Sequence, residues 1–93
     1  KFVKVNFQEV YFVEAMADYV ILHLEGKRHI IHSTMKSIEQ KLSNDTFARI
    51  HRSFIVNMNK VEAVDNAVVT VLDKKLPIGA SYKKEFMSRL RIL

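Results

Sequence analysis

The chain has 93 residues, of which 48% are hydrophobic and 27% charged, with two glycines, one proline and no cysteine. Its size and composition are those of one small globular domain and exclude a disordered or low-complexity segment. The lack of cysteine excludes a disulfide scaffold and fits a cytoplasmic protein, and no apolar run reaches the roughly 18–20 residues that a membrane span needs. Because the chain begins with Lys1 instead of methionine, we expect residues 1–93 to be a single domain excised from a longer protein.

Basic residues outnumber acidic ones by 15 to 10, for a formal net charge of +5. This excess favours polyanionic partners, nucleic acid first and acidic membrane surfaces second. Between Asp45 and Glu62 there is no acidic residue, and from Ser81 to the end four cations accompany the single acid Glu85. The sequence therefore predicts one basic face built from two separated segments.

The first third of the chain has the patterns of β-strands. Polar and apolar residues alternate from Phe2 to Phe7, which predicts a half-buried strand, and the β-branched and aromatic run from Val10 to Val13 predicts a strand covered on both faces. The segment from Tyr19 to Leu24 predicts a third strand. Because Glu25-Gly26-Lys27 is typical of a tight turn, we expect this strand to form a hairpin with the segment from Arg28 to His32.

Two short helices are predicted. Ser33 or Thr34 can cap the first helix, which is followed by apolar residues spaced for one helical face. That face consists of Met35, Ile38 and Leu42. Ser81 is predicted to cap the second helix. Its apolar stripe consists of Tyr82, Phe86, Leu90 and Leu93.

Three short strands are predicted between the helices, with turns between them. The strands are Val61–Val64, Val68–Leu72 and Lys75–Ile78, and the turns are Asp65–Ala67 and Asp73-Lys74. Many short strands with two short helices indicate an α+β, β-rich fold class.

Enzymatic chemistry is disfavoured. The sequence has no glycine-rich phosphate loop, no GxSxG motif and no cysteine nucleophile, so we expect no catalytic residues and no cofactor. His29 and His32 have a spacing that suggests a metal pair, but residues three apart in a strand point to opposite faces, and His23 does not complete a ligand set. Glu9 and Glu14 are read as solvated carboxylates.

The segment from Phe47 to Asn57 is the strongest candidate for a binding site. It places cationic side chains and a serine among large apolar anchors, which is what a rigid scaffold for base recognition requires. Two readings of Arg49 and His51 remain open: they contact a ligand, or they are framework residues bonded to the backbone of a turn. Arg52, next to Ser53 at the apex of a predicted loop, favours a base or phosphate contact.

These eleven residues, FARIHRSFIVN, resemble the motif F-x-R-x-H-R-S-[FY]-[IV]-V-N of LytTR DNA-binding domains. The resemblance extends over essentially the whole chain. Its weaker parts are Val10–Ala15 with Asp18–Val20, Thr34–Leu42, Leu76–Ile78 and Ser81–Lys84.

The resemblance implies an elongated fold of small, mostly antiparallel sheets that reads the major groove with loops instead of a recognition helix. In this family, base contacts come from three places, which correspond here to the polar break at Ala17-Asp18, to Arg52 and to Lys83. The candidate DNA-binding residues are accordingly Ala17, Asp18, Arg49, His51, Arg52, Ser53, Ser81, Tyr82, Lys83 and Lys84. Gly79-Ala80 departs from the family, which often has a serine and a larger polar residue there.

The resemblance also implies a cellular role. Such domains are C-terminal effector modules of bacterial transcription regulators, commonly in two-component systems, behind a receiver or a membrane sensor. They bind direct repeats of double-stranded DNA as dimers and bend it, and the domain itself does not contact the membrane. Two other functions remain open from charge alone: an RNA-binding domain, for which exposed aromatic residues are scarce, and a protein-interaction module with an acidic partner.

Two finer expectations concern individual side chains. Asn57 follows the apolar run from Phe54 to Val56, so we expect its amide to satisfy backbone groups and not to read bases. If Ser81 is the cap, Lys83 and Lys84 occupy the second and third helical positions, where a DNA phosphate can meet the ammonium groups and the helix N-terminus together. The alternative is that both lysines point into solvent.

Overall fold

The structure, a computed structural model, describes Phe2 and residues 4 to 90. Along these residues lie eight strands: β1 (Phe12–Met16), β2 (Tyr19–Leu24), β3 (Lys27–His32), β4 (Phe47–His51), β5 (Phe54–Asn57), β6 (Ala63–Asp65), β7 (Val68–Val71) and β8 (Lys74–Pro77). The two α-helices there are α1 (Met35–Lys41) and α2 (Ala80–Arg89). Single 3-10 turns occupy Phe7–Glu9 and Met58–Lys60.

Five strands form an antiparallel sheet in the order β3-β2-β1-β5-β4. One face of this sheet packs against α1, which buries Met35, Ile38 and Leu42 as its spacing predicts. Thr34 is the cap of α1, because its Oγ1 accepts a hydrogen bond from the Ser37 backbone N–H at 3.0 Å. The predicted hairpin of β2 and β3 is confirmed, with Gly26 at φ 73° in the turn.

The opposite face of the large sheet packs against α2 and against a second antiparallel sheet in the order β6-β7-β8. The buried residues of this second core are Phe12, Ala48, Ile50, Val56, Val69, Val71, Leu76, Ile78 and Phe86. Because Val10 and Val13 belong to the first core and Phe12 to the second, the prediction that this segment is covered on both faces is confirmed. The strand itself begins two residues later than predicted and extends to Met16. The fold is elongated, with extents of 43 × 24 × 22 Å, and the predicted β-rich α+β class is confirmed.

The strand predicted from Phe2 to Phe7 is wrong. The described residues of this segment do not pair with any strand, and Phe7 begins a 3-10 turn. Asn6 is the cause, since its side chain accepts a hydrogen bond from the Gln8 N–H at 3.0 Å and so favours a turn over a ladder. The apolar side chains of Val5 and Phe7 pack against the first core, which explains the alternation without strand pairing.

The three strands of the small sheet are joined by two turns, and both central residues of each turn have positive φ. Asn66 and Ala67 have φ of 49° and 62°, and Leu72 and Asp73 have φ of 51° and 60°. Successive left-handed residues are what type I′ hairpin turns require. The prediction that Leu72 belongs to a strand is therefore wrong: Val71 pairs with Lys74, so the second turn begins one residue earlier than expected. The first of these strands also starts later than predicted, at Ala63 instead of Val61.

The predicted cap of the last helix is wrong as well. α2 begins at Ala80 with Gly79 as its N-cap residue and no side-chain capping bond, so Ser81 is the second residue inside the helix. Lys83 and Lys84 are consequently its fourth and fifth residues and not its second and third. Phe86 is buried in the second core and Leu90 packs against it, as predicted. Tyr82 is only half-buried and lies beside Arg49, and Leu93 lies outside the described residues.

Candidate nucleic-acid interface

β4 and β5 are joined by a two-residue turn, Arg52-Ser53, in which Arg52 is exposed. The strand pairing slips just before this turn: Arg49 pairs with Ile55 and His51 with Phe54, so Ile50 is the extra residue of a β-bulge. The Ile50 carbonyl, which this slip leaves without a ladder partner, accepts a hydrogen bond from the Gly79 N–H at 2.7 Å. This bond attaches the start of α2 to the strand that leads into the turn.

The Arg49 guanidinium is held by groups of the chain itself. Its Nε–H donates to the His51 carbonyl at 2.8 Å, and its Nη2 donates to the Arg52 carbonyl at 2.6 Å. Its Nη1 donates at 2.8 Å to Oε1 of Glu39, which lies on α1. The side chain is 18% exposed, and its Cζ lies 5.9 Å from the ring centroid of Tyr82. Arg49 therefore connects the turn, α1 and α2.

His51 is also engaged with the turn that follows it. Its Nδ1 accepts a hydrogen bond from the Ser53 backbone N–H at 3.0 Å, so in the neutral ring the proton is on Nε2. The ring packs on Phe54, with 5.7 Å between centroids. A Cβ atom at Gly79 would lie 3.6 Å from Cδ2 of this ring and 3.2 Å from Cδ2 of Tyr82. The hydrogen bond from the Gly79 N–H to Ile50 thus places the start of α2 beside His51, and a side chain at Gly79 would crowd the Tyr82 ring.

The turn between β1 and β2, Ala17-Asp18, lies beside the β4–β5 turn. Both of its residues are exposed, and Ala17 adopts the left-handed conformation, at φ 53°. The Ala15 N–H donates to the Ser53 carbonyl at 2.9 Å, and Glu14 pairs with Phe54. A backbone bond therefore holds this turn next to the β4–β5 turn, although Asp18 and Ser53 are 35 positions apart in the sequence.

The start of α2 is the third segment at this place. Ser81, Lys83 and Lys84 are exposed on it, and Tyr82 is half-buried next to Arg49. Together with Arg52, the two lysines give this edge of the domain three exposed cations, while Asp18 supplies one carboxylate. The structure thus brings together the three segments that contain all ten predicted site residues.

Asn57 has the structural role that its position predicts. Its side chain is buried, at 1% exposure, and its Nδ2 donates to the carbonyls of Gln8 and Val10 at 3.1 and 2.9 Å. Its Oδ1 accepts from the Asn59 N–H at 2.9 Å. One amide thus satisfies three backbone groups and fixes the chain at the entrance to β1.

We expect Asn57→Ala to lower the free energy of unfolding by about 2–4 kcal/mol, because it leaves buried backbone groups without partners. In a domain of this size that corresponds to a fall in melting temperature of roughly 10–20 °C, measured by circular dichroism. Asn59→Ala is the control, since this neighbouring asparagine is exposed and contributes only its backbone N–H. An Asn57→Ala variant that melts at the same temperature as the unmodified domain would contradict the structural role.

Sequence reasoning missed three residues that build this region. Glu39 accepts a hydrogen bond from Nη1 of Arg49. The Gly79 N–H bonds the start of α2 to β4 through the Ile50 carbonyl. Nη1 of Arg89 donates to the Phe47 carbonyl at 2.9 Å and so attaches the end of α2 to β4. Glu39 and Arg89 have no local signal, since a charged residue on a short helix is usually solvated. Gly79 is a visible departure from the family pattern, but the sequence does not predict that its N–H bonds to Ile50, the extra residue of the bulge in β4.

Within the part of the chain that the structure describes, no three His, Cys, Asp or Glu side chains are grouped as a metal site requires. Neither helix in that part is long and apolar enough to cross a lipid bilayer.

Comparison with known proteins identifies the family. The model of the LytTr DNA-binding domain matches residues 1–91. The chain is 30% identical over 96 residues to the sensory transduction protein LytT of Bacillus anthracis, covering 97% of this chain and 39% of the relative. It is 25% identical over 91 residues to the transcriptional regulatory protein YpdB of Escherichia coli K12, covering 90% of this chain and 37% of the relative. The chain thus spans less than half the length of these relatives.

A solved structure agrees with this match. The LytTr DNA-binding domain of a Bacillus cereus protein superposes with a TM-score of 0.83 and 27% sequence identity, covering 94% of this chain and 85% of the solved one. The family model, the sequence relatives and the solved structure therefore agree, and the chain belongs to the LytTr DNA-binding domain family.

Proposed function

We propose that this domain binds double-stranded DNA in a sequence-specific manner, with its turns in the major groove, as the effector domain of a cytoplasmic bacterial transcription regulator. The observation that carries the proposal is the pair of backbone hydrogen bonds, Ala15 N–H to Ser53 and Gly79 N–H to Ile50, which hold three exposed segments at one edge. A rigid edge with exposed polar side chains meets the geometric demand of base recognition better than separate flexible loops do.

The ten residues of the proposed interface have two kinds of role. Arg49 and His51 are hydrogen-bonded to the β4–β5 turn and support it. The residues proposed to face the DNA are Ala17, Asp18, Arg52, Ser53, Ser81, Tyr82, Lys83 and Lys84. Among these, Arg52 has the bidentate donors that suit guanine, and Asp18 can accept from the cytosine amino group. Lys83 and Lys84 are assigned to phosphates, which fix the position of the domain without reading the sequence. Family membership supports DNA binding itself, because the family is described as a DNA-binding domain.

We also propose that an upstream receiver or sensor domain controls this one, and that two copies bind direct repeats. The support is that the chain spans 39% of a relative described as a sensory transduction protein. Titration of duplexes that contain one or two selected half-sites tests the second part. Binding of two copies with positive cooperativity on the double site is expected, and independent binding at any spacing would contradict dimer formation on DNA.

Affinity for duplex DNA is expected to fall steeply with salt. Each neutralised phosphate contributes about −0.9 to the slope of log K against log salt, so contacts by Lys83 and Lys84 alone predict a slope of about −2 or steeper. Fluorescence anisotropy between low and physiological salt measures this slope. An affinity that does not change with salt concentration would exclude nucleic acid of any kind as the partner.

Selection from a random pool of duplexes tests the sequence specificity itself. We expect enrichment of one short motif, whose complex survives an excess of random competitor duplex. Binding that competitor duplex removes completely, or that single-stranded RNA outcompetes, would favour the RNA-binding alternative. Lack of binding to either nucleic acid would favour an acidic protein partner.

A further inference from the structure

We propose that Glu39 and Arg49 form a brace that sets the position of Arg52, and that Arg49 affects DNA recognition through this turn without touching the duplex. The inference rests on the proposed DNA binding and gives Glu39, a residue of α1, a role in it. Arg49 and Glu39 are positioning residues, because they act on DNA recognition through the placement of Arg52.

The hydrogen bonds of Arg49 constrain both sides of the Arg52 α-carbon. The carbonyl of His51 belongs to the peptide that precedes this carbon, and the carbonyl of Arg52 to the peptide that follows it, and Arg49 donates to both. The second of these peptides also donates its Ser53 N–H to Nδ1 of His51 at 3.0 Å. With both peptide planes fixed, the direction in which the Arg52 side chain leaves the backbone is fixed too.

The guanidinium suits this task because its donors lie in one rigid plane. Nε–H and one Nη2–H point side by side to the two carbonyls, while Nη1 points to Glu39. A lysine ammonium carries the same charge but has no planar fork, so it cannot reproduce three contacts in fixed directions. The ring centroid of Tyr82, on α2, lies 5.9 Å from Cζ of Arg49, at the outer limit of a cation–π interaction.

Glu39 has two effects on Arg49. Its carboxylate, 2.8 Å from Nη1, anchors the guanidinium at the end opposite the turn. It also compensates the positive charge, so Arg49 is not one of the cations available to DNA phosphates. Arg52, Lys83 and Lys84 carry exposed charges instead.

The test compares Arg49→Lys, Arg49→Gln and Glu39→Ala with the control Glu85→Ala. Glu85 is exposed on α2 and forms no ion pair within residues 4–90, so the control removes the same charge from a neighbouring helix. Each variant is measured by anisotropy on the duplex selected with the unmodified domain and on random duplex, over a range of salt. Melting temperatures establish that each variant is folded, and Glu39→Ala removes the ion pair without changing the Arg49 side chain itself.

The three brace variants are expected to lower the ratio of selected to random affinity by about 5- to 150-fold, the range for one base contact, with unchanged salt slopes. Glu85→Ala should keep the ratio. A slope that falls by about 0.9 in Arg49→Gln but not in Arg49→Lys would overturn the proposal, since that pattern identifies a phosphate contact. Glu39→Ala with an unchanged ratio would overturn it equally.

Hydrogen exchange of the Ser53 amide in the free domain separates failure of the brace from failure of the proposed function. Glu39→Ala and Arg49→Lys should speed this exchange, and Glu85→Ala should not. If the Ser53 amide exchanges at the same rate in Glu39→Ala and Arg49→Lys as in the unmodified domain, the brace is overturned, whatever the DNA affinities of these variants. Faster exchange in a domain that shows no sequence preference would instead contradict the DNA-binding proposal.

Discussion

Arg52→Ala is expected to weaken binding to the selected duplex by about 1–3 kcal/mol, or about 5- to 150-fold, while weak binding to random duplexes stays nearly unchanged. The Arg52 side chain is exposed, whereas the carbonyls on both sides of its α-carbon accept hydrogen bonds from Arg49. An arginine presented by a fixed backbone offers two parallel donors to the acceptors of guanine. Anisotropy on both duplexes measures the difference.

Two further variants control this result. Arg52→Lys keeps the charge but loses the fork, so it should bind random duplex normally and still lack discrimination. Arg28→Ala removes another exposed arginine, on the edge strand β3, and should change neither affinity. Equal losses of Arg52→Ala on selected and random duplexes would instead assign Arg52 to a phosphate.

Reversing both charges of Lys83 and Lys84 to glutamate is expected to abolish duplex binding and to leave the melting temperature unchanged or slightly raised. The change lowers the formal net charge from +5 to +1 and places two carboxylates where we propose that phosphates lie. Loss of two phosphate contacts and the added repulsion should weaken binding roughly 100-fold or more at low salt. Both residues are exposed, and as the fourth and fifth residues of α2 they lie at the end of its first turn, where the helix dipole favours acidic side chains only weakly.

The matched control reverses Lys74 and Lys75, two exposed lysines on β8, and so produces the same net charge away from the start of α2. It should lose at most a few-fold in affinity. If both double variants lose binding equally, the effect comes from net charge and α2 is not at the DNA. If the Lys83 and Lys84 variant binds DNA normally, α2 does not contact the DNA.

The fold could be predicted where local pattern and tertiary packing agree. β2, β3 and α1 were predicted within a residue, because their side-chain periods match the faces they bury. Prediction was wrong where a distant partner or a single polar side chain decided the local structure. The Asn6 side chain caps a 3-10 turn at the end of a segment whose alternation predicted a strand. The N-cap of α2 is Gly79, two residues before the predicted Ser81, and its N–H donates to the Ile50 carbonyl.

The candidate site was predictable to a similar degree. The motif from Phe47 to Asn57 identified the β4–β5 turn and the structural role of Asn57. The sequence contained no sign that Glu39 would pair with Arg49, because the contact joins a helix surface to a strand and both residue types are common on solvated faces. The two roles of His51 also could not be separated without the distance from its Nδ1 to the Ser53 N–H.

The bonds that join the three segments, Ala15 N–H to Ser53 and Gly79 N–H to Ile50, run between backbone atoms. They do not depend on which side chains stand at Asp18, Arg52 or Lys83. These exposed positions can therefore be exchanged at little cost to folding, while the edge that presents them keeps its shape. Under the mode of DNA binding that we propose, new target sequences are acquired in evolution by substitutions at a few exposed turn residues. The same positions are then the ones to randomise when a domain is retargeted in the laboratory.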